Sequence, residues 1–176
     1  MVRPARVALL AASLAGAAGA GAGCYDPVHD QQVAALGPEA PGVPPGPTHR
    51  PGQPCLVCHG GQGPAKVVYS VAGTVFQYPY PSSTTPAVDA GVQLEDSTGS
   101  FYAAYTNAAG NFYVPASSWG PVYPISVPRL ADPTGQNPEQ MLTLINRDGS
   151  CASCHTPTPG TDSIGPVFLY PSKPGT

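Results

Sequence analysis

Charge is scarce in this chain. Only 10% of its 176 residues are Asp, Glu, Lys or Arg, and seven basic against ten acidic side chains leave a net charge of −3. No basic field exists to attract nucleic acid or an anionic membrane surface, so both are excluded as partners on charge. Long apolar runs are lacking too: the stretch 7–20 is diluted by Ala, Gly and one Ser. It falls short of the about 20 apolar residues that span a bilayer. Room for long helices is also missing, because 21 Gly and 24 Pro interrupt the chain throughout. That excludes a helical bundle and a doubly wound α/β enzyme. What remains is 41% hydrophobic residues with nine Tyr and four Phe, enough for one modest core. The expected fold class is therefore mainly β, a small antiparallel β-sandwich flanked by Pro/Gly-rich segments.

The N-terminus reads as an address. Arg3 and Arg6 precede the uncharged run 7–20, the order of a secretory signal covering 1–23. Its removal leaves five basic against ten acidic side chains, a net of −5. Gly21-Ala22-Gly23-Cys24 follows, and it resembles a bacterial lipoprotein signal, in which the Cys becomes the lipidated first residue of the mature chain. The resemblance implies acylation of Cys24 and a periplasmic or cell-surface protein anchored to a bacterial membrane by lipid alone. Cleavage by ordinary signal peptidase after Ala20-Gly21-Ala22 is the alternative, with Cys24 then incidental.

Cysteine and histidine carry the functional signal. Four of the five Cys fall in two copies of one pattern, Cys55-Leu56-Val57-Cys58-His59 and Cys151-Ala152-Ser153-Cys154-His155. C-x-x-C-H is the attachment motif of c-type haem. Two thiols separated by two residues in one turn reach two vinyl groups along one edge of the macrocycle, and the next residue sets an imidazole under the iron. Chance placement of this composition gives on the order of 0.003 such motifs, so two copies are a strong signal for two covalently attached haem c groups. The fifth thiol, Cys24, is the one acylation accounts for. His59 and His155 are then proximal metal ligands, and His29 and His49 match the two remaining axial positions, giving bis-histidine ligation of both irons. Met141 competes for one of these positions, although a Met before Leu142, Leu144 and Ile145 more often packs a core. Structural zinc is the competing chemistry for paired C-x-x-C motifs, but these pairs lie far apart in sequence and zinc does not require a His after each. Two small-loop disulfides, Cys55 with Cys58 and Cys151 with Cys154, also suit an oxidising compartment and leave the histidines without a role.

Between the motifs the pattern is β. Residues 24–54 form a Pro/Gly-rich tether, and 37–54 in particular favours extended polyproline-like backbone with no packed element; one role for it is to lay His49 across a haem face. A first haem-attachment segment occupies 55–66, and from 67 alternation of Val67, Tyr69, Val71 and Val75 with polar or small residues has the period of a strand. Further strand-like runs lie at 92–95, 101–106, 112–114, 122–127, 141–145 and 167–170. Turn chemistry at 96–99, 107–111 and 146–149 separates most of them. Pro121, Pro124 and Pro128 cannot donate to a ladder, so the strands they touch are expected at edges. The body spans 67–150, and 151–176 holds the second attachment segment with the tail. Gly73-Thr74-Val75, Ala90-Gly91-Val92-Gln93-Leu94-Glu95-Asp96 and Thr106-Asn107-Ala108-Ala109-Gly110-Asn111-Phe112 resemble the carboxypeptidase regulatory-like (transthyretin-like) β-sandwich domain. That likeness implies a structural or binding module with no catalytic residues. The two haem motifs resemble those of multihaem cytochromes c.

Together these features point to an exported dihaem electron carrier, not an enzyme. Its expected partners are redox proteins, with self-association of copies into a longer conductor left open. The alternatives are a haem enzyme of peroxidase type, which needs one iron five-coordinate and a distal acid-base group, and a β-sandwich surface module held by zinc or disulfides. None of the ten carboxylates lies in a telling motif. Because one attachment motif precedes the first strand and the other follows a late one, both are expected at one end of the sandwich.

Overall fold

The computed structural model describes residues 26–79, 85–157, 161 and 163–170. The chain is mainly β, as composition and periodicity predict. Two three-stranded sheets share one core. The first has the order β4-β1-β6, from β1 (Tyr69–Phe76), β4 (Asn111–Pro115) and β6 (Val167–Phe168). The second has the order β3-β2-β5, from β2 (Gly91–Glu95), β3 (Phe101–Tyr105) and β5 (Ser126–Ala131). All pairings are antiparallel except β1 with β6, where Val75 faces Val167 and Phe76 faces Phe168.

The core lies between the sheets. Val71, Val75, Phe112 and Val114 meet Val92, Leu94 and Leu130 there, with Ile125 and Leu169 closing the sides. β2 shows the half-buried alternation most clearly: Val92 and Leu94 point in and Gln93 points out. β1 is buried on both faces from Val71 onward, because the elements around it cover its second side. Trp119 is buried at the margin, stacked on Tyr102 and donating its indole N–H to Ser100 Oγ.

Two acidic turns pin the second sheet. Asp96 accepts from Thr98 N, Thr98 Oγ1 and Ser100 N through one oxygen and from Val122 N through the other. Asp132 repeats the pattern with Thr134 N, Thr134 Oγ1, Gln136 N and Asn137 Nδ2. The Thr98 hydroxyl and the Val122 amide hold the Asp96 carboxyl down to about 2, and the Thr134 hydroxyl leads the bonds that hold Asp132 at about 2. Both lie below the ordinary 3.8, so their contribution is complete above that value and is lost as pH falls through the folded value. Denaturant midpoints are therefore expected to drop between pH about 4 and about 2, and Asp96→Asn with Asp132→Asn to flatten that drop. An unchanged acid limb in the double variant would show that these turns do not set it.

The structure departs from the expected elements in four places. Residues 27–35 form α1 (Pro27–Ala35), which Asp26 caps by accepting from Val28 N and His29 N and which Pro27 starts. It buries no residue, so no apolar period advertises it. The segment 37–54, expected to be an extended tether, is instead folded onto the body. Arg50 donates to Glu39 Oε1, Leu36 O, Gln53 Oε1 and Gly37 O, and Asn111 Nδ2 donates to His49 O while Gly52 N donates to Thr74 Oγ1. One guanidinium with several donors gathers carbonyls that a polyproline conformation would leave to water. The strand expected over 122–127 begins only at Ser126, because Pro121 and Pro124 offer no N–H and Val122 N is committed to Asp96. Pro128 does fall on an edge strand, β5. Residues 141–145 make no ladder: they touch β5 and its lead-in through Met141 N to Val127 O and a bridge between Ile125 and Ile145, and Pro128 has no N–H to give between them.

Candidate functional site

Each C-x-x-C-H motif folds as one turn. The first is α2 (Cys55–His59), and the second is the 3₁₀ turn Cys151–Ser153, closed by His155 N donating to Cys151 O. A single turn puts both cysteines of each motif on neighbouring positions, as two thioether links to one macrocycle require. Both motifs pack against β1, so the structure brings the two attachment segments to one strand. Cys55, Cys58, Cys151 and Cys154 are all free thiols. Burial raises the Cys55 thiol, and burial followed by the nearby Cys55 and Asp148 pushes Cys151 up to about 12, so both are protonated at neutral pH. Among the described residues no three His, Cys, Asp or Glu side chains gather where one ion could be shared.

The histidines are oriented by their second nitrogen. His59 Nδ1 donates to Val67 O at 2.8 Å, and His155 Nδ1 donates to Gly165 O at 3.0 Å. A carbonyl can only accept, so the proton sits on Nδ1 and the lone pair on Nε2 is free to ligate a metal. His49 shows the same pattern, with Nδ1 on Glu39 Oε1 at 3.0 Å. Burial alone would raise the Glu39 carboxyl, but its bonds to Arg50 and His49 outweigh that and hold it below 4.5. The His59 ring also stacks on Tyr69, and Tyr69 on Tyr113, at centroid distances of 4.6 and 4.9 Å.

His49 and His59 are brought together. Their ring centres lie 6.0 Å apart and their planes are nearly perpendicular, at 80°. Two imidazoles that share one metal through Nε2, each at about 2 Å, have ring centres about 6 Å apart. The two rings are thus close enough to serve one site. His29 sits elsewhere. It lines a cavity of about 410 Å³ with Leu56, Val57, Tyr123, Ser150 and Ser153, and its Nε2 is buried without a partner.

The second motif opens on an apolar cavity of about 400 Å³. Cys151 and His155 line it together with Val75, Phe112, Met141, Ile164, Val167 and Tyr170. Ile164 is 77% exposed at this position, an apolar side chain that a flat hydrophobic ligand would cover. The donor set, the oriented imidazole and the apolar lining fit a porphyrin attached at Cys151 and Cys154. Ile164, Val167 and Tyr170 line this cavity, whereas Leu56 and Val57 line the other. The clamp of Glu39, Arg50 and Asn111 on His49 was not foreseen; two opposite charges 11 residues apart in a charge-poor segment were its sequence signal. Cys24 and the signal segment 1–23 lie outside the described residues. No helix among the described residues is long and apolar enough to cross a membrane. The chain matches no protein-family model, no curated protein and no solved structure.

Proposed function

We propose that this chain is an exported dihaem c-type cytochrome that carries single electrons between redox partner proteins, held at a bacterial membrane by a lipid on Cys24. The observation that carries this is the repeated geometry of the motifs: each C-x-x-C-H forms one turn whose His gives its Nδ1 proton to a backbone carbonyl and keeps Nε2 free. Haem c at these positions supplies an iron that cycles between ferric and ferrous. The protein's own residues do the rest. Cys55 with Cys58, and Cys151 with Cys154, would hold one group each, and His59 and His155 would ligate its iron. The carbonyls of Val67 and Gly165 fix the ring orientation and raise the basicity of Nε2. Glu39 does the same for His49, which would be a further ligand at the first centre. The apolar cavity at the second motif keeps water and counter-charge away, which favours the less charged ferrous state. The β body, which we read as of carboxypeptidase regulatory-like type, serves as the rigid support.

Full-length protein made in a host with a cytochrome c maturation system tests this. The expected outcome is two haems per chain by pyridine haemochrome, two reversible one-electron steps, and a ferrous form that does not bind carbon monoxide. Rapid carbon monoxide binding with peroxide turnover would make the protein a haem enzyme instead, and correctly folded haem-free protein would end the cytochrome assignment.

A further inference from the structure

We infer that β3 pairs antiparallel with β3 of a second copy of this chain, so that two three-stranded sheets join into one of six strands. The register of β3 against β2 shows which groups are free for this. Asp96 N donates to Ser100 O and Thr106 N donates to Ala90 O, so the even-numbered residues of β3 turn their backbone toward β2. Phe101, Ala103 and Tyr105 turn theirs away, and among the described residues no hydrogen bond reaches those N–H and C=O groups. The same three residues point their side chains out of the sandwich, with Phe101 60% and Tyr105 71% exposed.

The opposite edge of this sheet, β5, shows how such an edge is closed. Pro128 has no N–H to offer there, Leu130 exchanges bonds with Glu139, Met141 N donates to Val127 O, and the register against β2 shifts between Gln93 and Glu95. β3 carries none of these devices. Its residues Phe-Tyr-Ala-Ala-Tyr run in unbroken register with no proline and no charge. The strand is also complementary to itself. Centred on Ala103, an antiparallel pair sets Phe101 of each copy opposite Tyr105 of the other and exchanges about six backbone hydrogen bonds. Aromatic side chains facing across the two strands add to that ladder. Charge fits as well: Glu95 flanks Phe101 of its own copy, and the row through it reaches Gly91 of the other, so no carboxylate meets a carboxylate. A two-fold axis through Ala103 satisfies both edges at once, so the assembly closes as a dimer. The pairing does not depend on the haem assignment.

Mature protein carrying Cys24→Ser, which removes any acyl chain that would itself cluster copies, tests this by sedimentation. The series runs from about 10 μM to about 1 mM at about 0.15 M salt, the weak range expected of a small interface with screened net charge. The protein with native β3 is expected to pass from monomer to dimer with no larger species. Phe101→Lys with Tyr105→Lys sets lysine opposite lysine and is expected to weaken the dimer about tenfold or more. Phe101→Lys with Tyr105→Glu sets each lysine opposite a glutamate and is expected to recover dimer relative to the double-lysine variant. Ala103→Pro removes an N–H that the fold does not use and is expected to stay monomeric. A monomer at every concentration with native β3 overturns the inference. So does a double-lysine variant that dimerises like native β3, or a lysine–glutamate variant no better than the double-lysine one. Should either double variant fail to fold, an Ala103→Pro protein that dimerises as native β3 does overturns it, and a monomeric one supports it.

Discussion

Cys151→Ser together with Cys154→Ser is expected to cut the haem content of the loaded protein from two per chain to one. Serine offers no sulfur for a thioether, and a porphyrin held by His155 alone is lost on purification. The remaining haem should keep the spectrum of the first centre, because His49, His59, Glu39 and Arg50 form a clamp that shares no side chain with the second cavity. The variant is also expected to be less stable than the loaded wild type. Val75, Phe112, Val167 and Tyr170 would face a cavity of about 400 Å³ with no porphyrin against them. A thioether-linked porphyrin stays on the unfolded chain as well, so it stabilises through the apolar surface it buries only in the folded state. Haemochrome and a denaturant melt on the same sample read both effects. Two haems per chain in this variant would show that the second C-x-x-C-H is not an attachment site.

The second large effect falls on glycines that seat this motif against β1. A Cβ at Gly73 would lie 2.7 Å from Cys151 Cβ, 2.8 Å from its Sγ and 2.9 Å from Phe112. A Cβ at Gly149 would press into the Ser70 backbone, next to the point where Ala72 N donates to Gly149 O. Backbone cannot swing away as a flexible side chain can. Gly149→Ala is therefore expected to cost about 1–3 kcal/mol, the range of overpacking in a close-packed interior, with Gly73→Ala costing a similar amount. Gly120→Ala, where nothing lies within 4 Å, is the control and should stay within about 0.5 kcal/mol. Urea midpoints of the haem-loaded proteins measure this, and Gly149→Ala equal to Gly120→Ala would mean that the close approach of the two backbones is not required.

How much of this was legible in the sequence depends on the range of the interactions involved. β1 and β2 follow from alternating Val and Leu positions, and the turns at 96–99 and 107–111 follow from Asp and Asn side chains that accept from their own backbone two and four residues on. These are local rules, and they held. The two motifs were legible for the same reason, since five adjacent residues fix one turn. Non-local bonds were not. Arg50 gathers Gly37, Leu36 and Glu39 from more than ten residues away, so a segment whose prolines favour extension folds onto the body instead. α1 starts at a readable Asp26-Pro27 cap and is followed by Gly37 with φ +65°, but lacks an apolar face, and period is the stronger signal. His29 and His49 could be counted but not placed. Met141 could be named as a competitor, yet its environment depended on whether Leu142 and Leu144 turned inward, and both turn out.

The mass of the intact mature chain bears most directly on whether porphyrin is bonded to this polypeptide. Protein purified from a maturation-competent host and denatured before measurement should weigh as the chain from Cys24 onward plus two haem groups and the acyl modification of Cys24. A folded product at the bare polypeptide mass, with the four C-x-x-C-H thiols still titratable, would contradict the account.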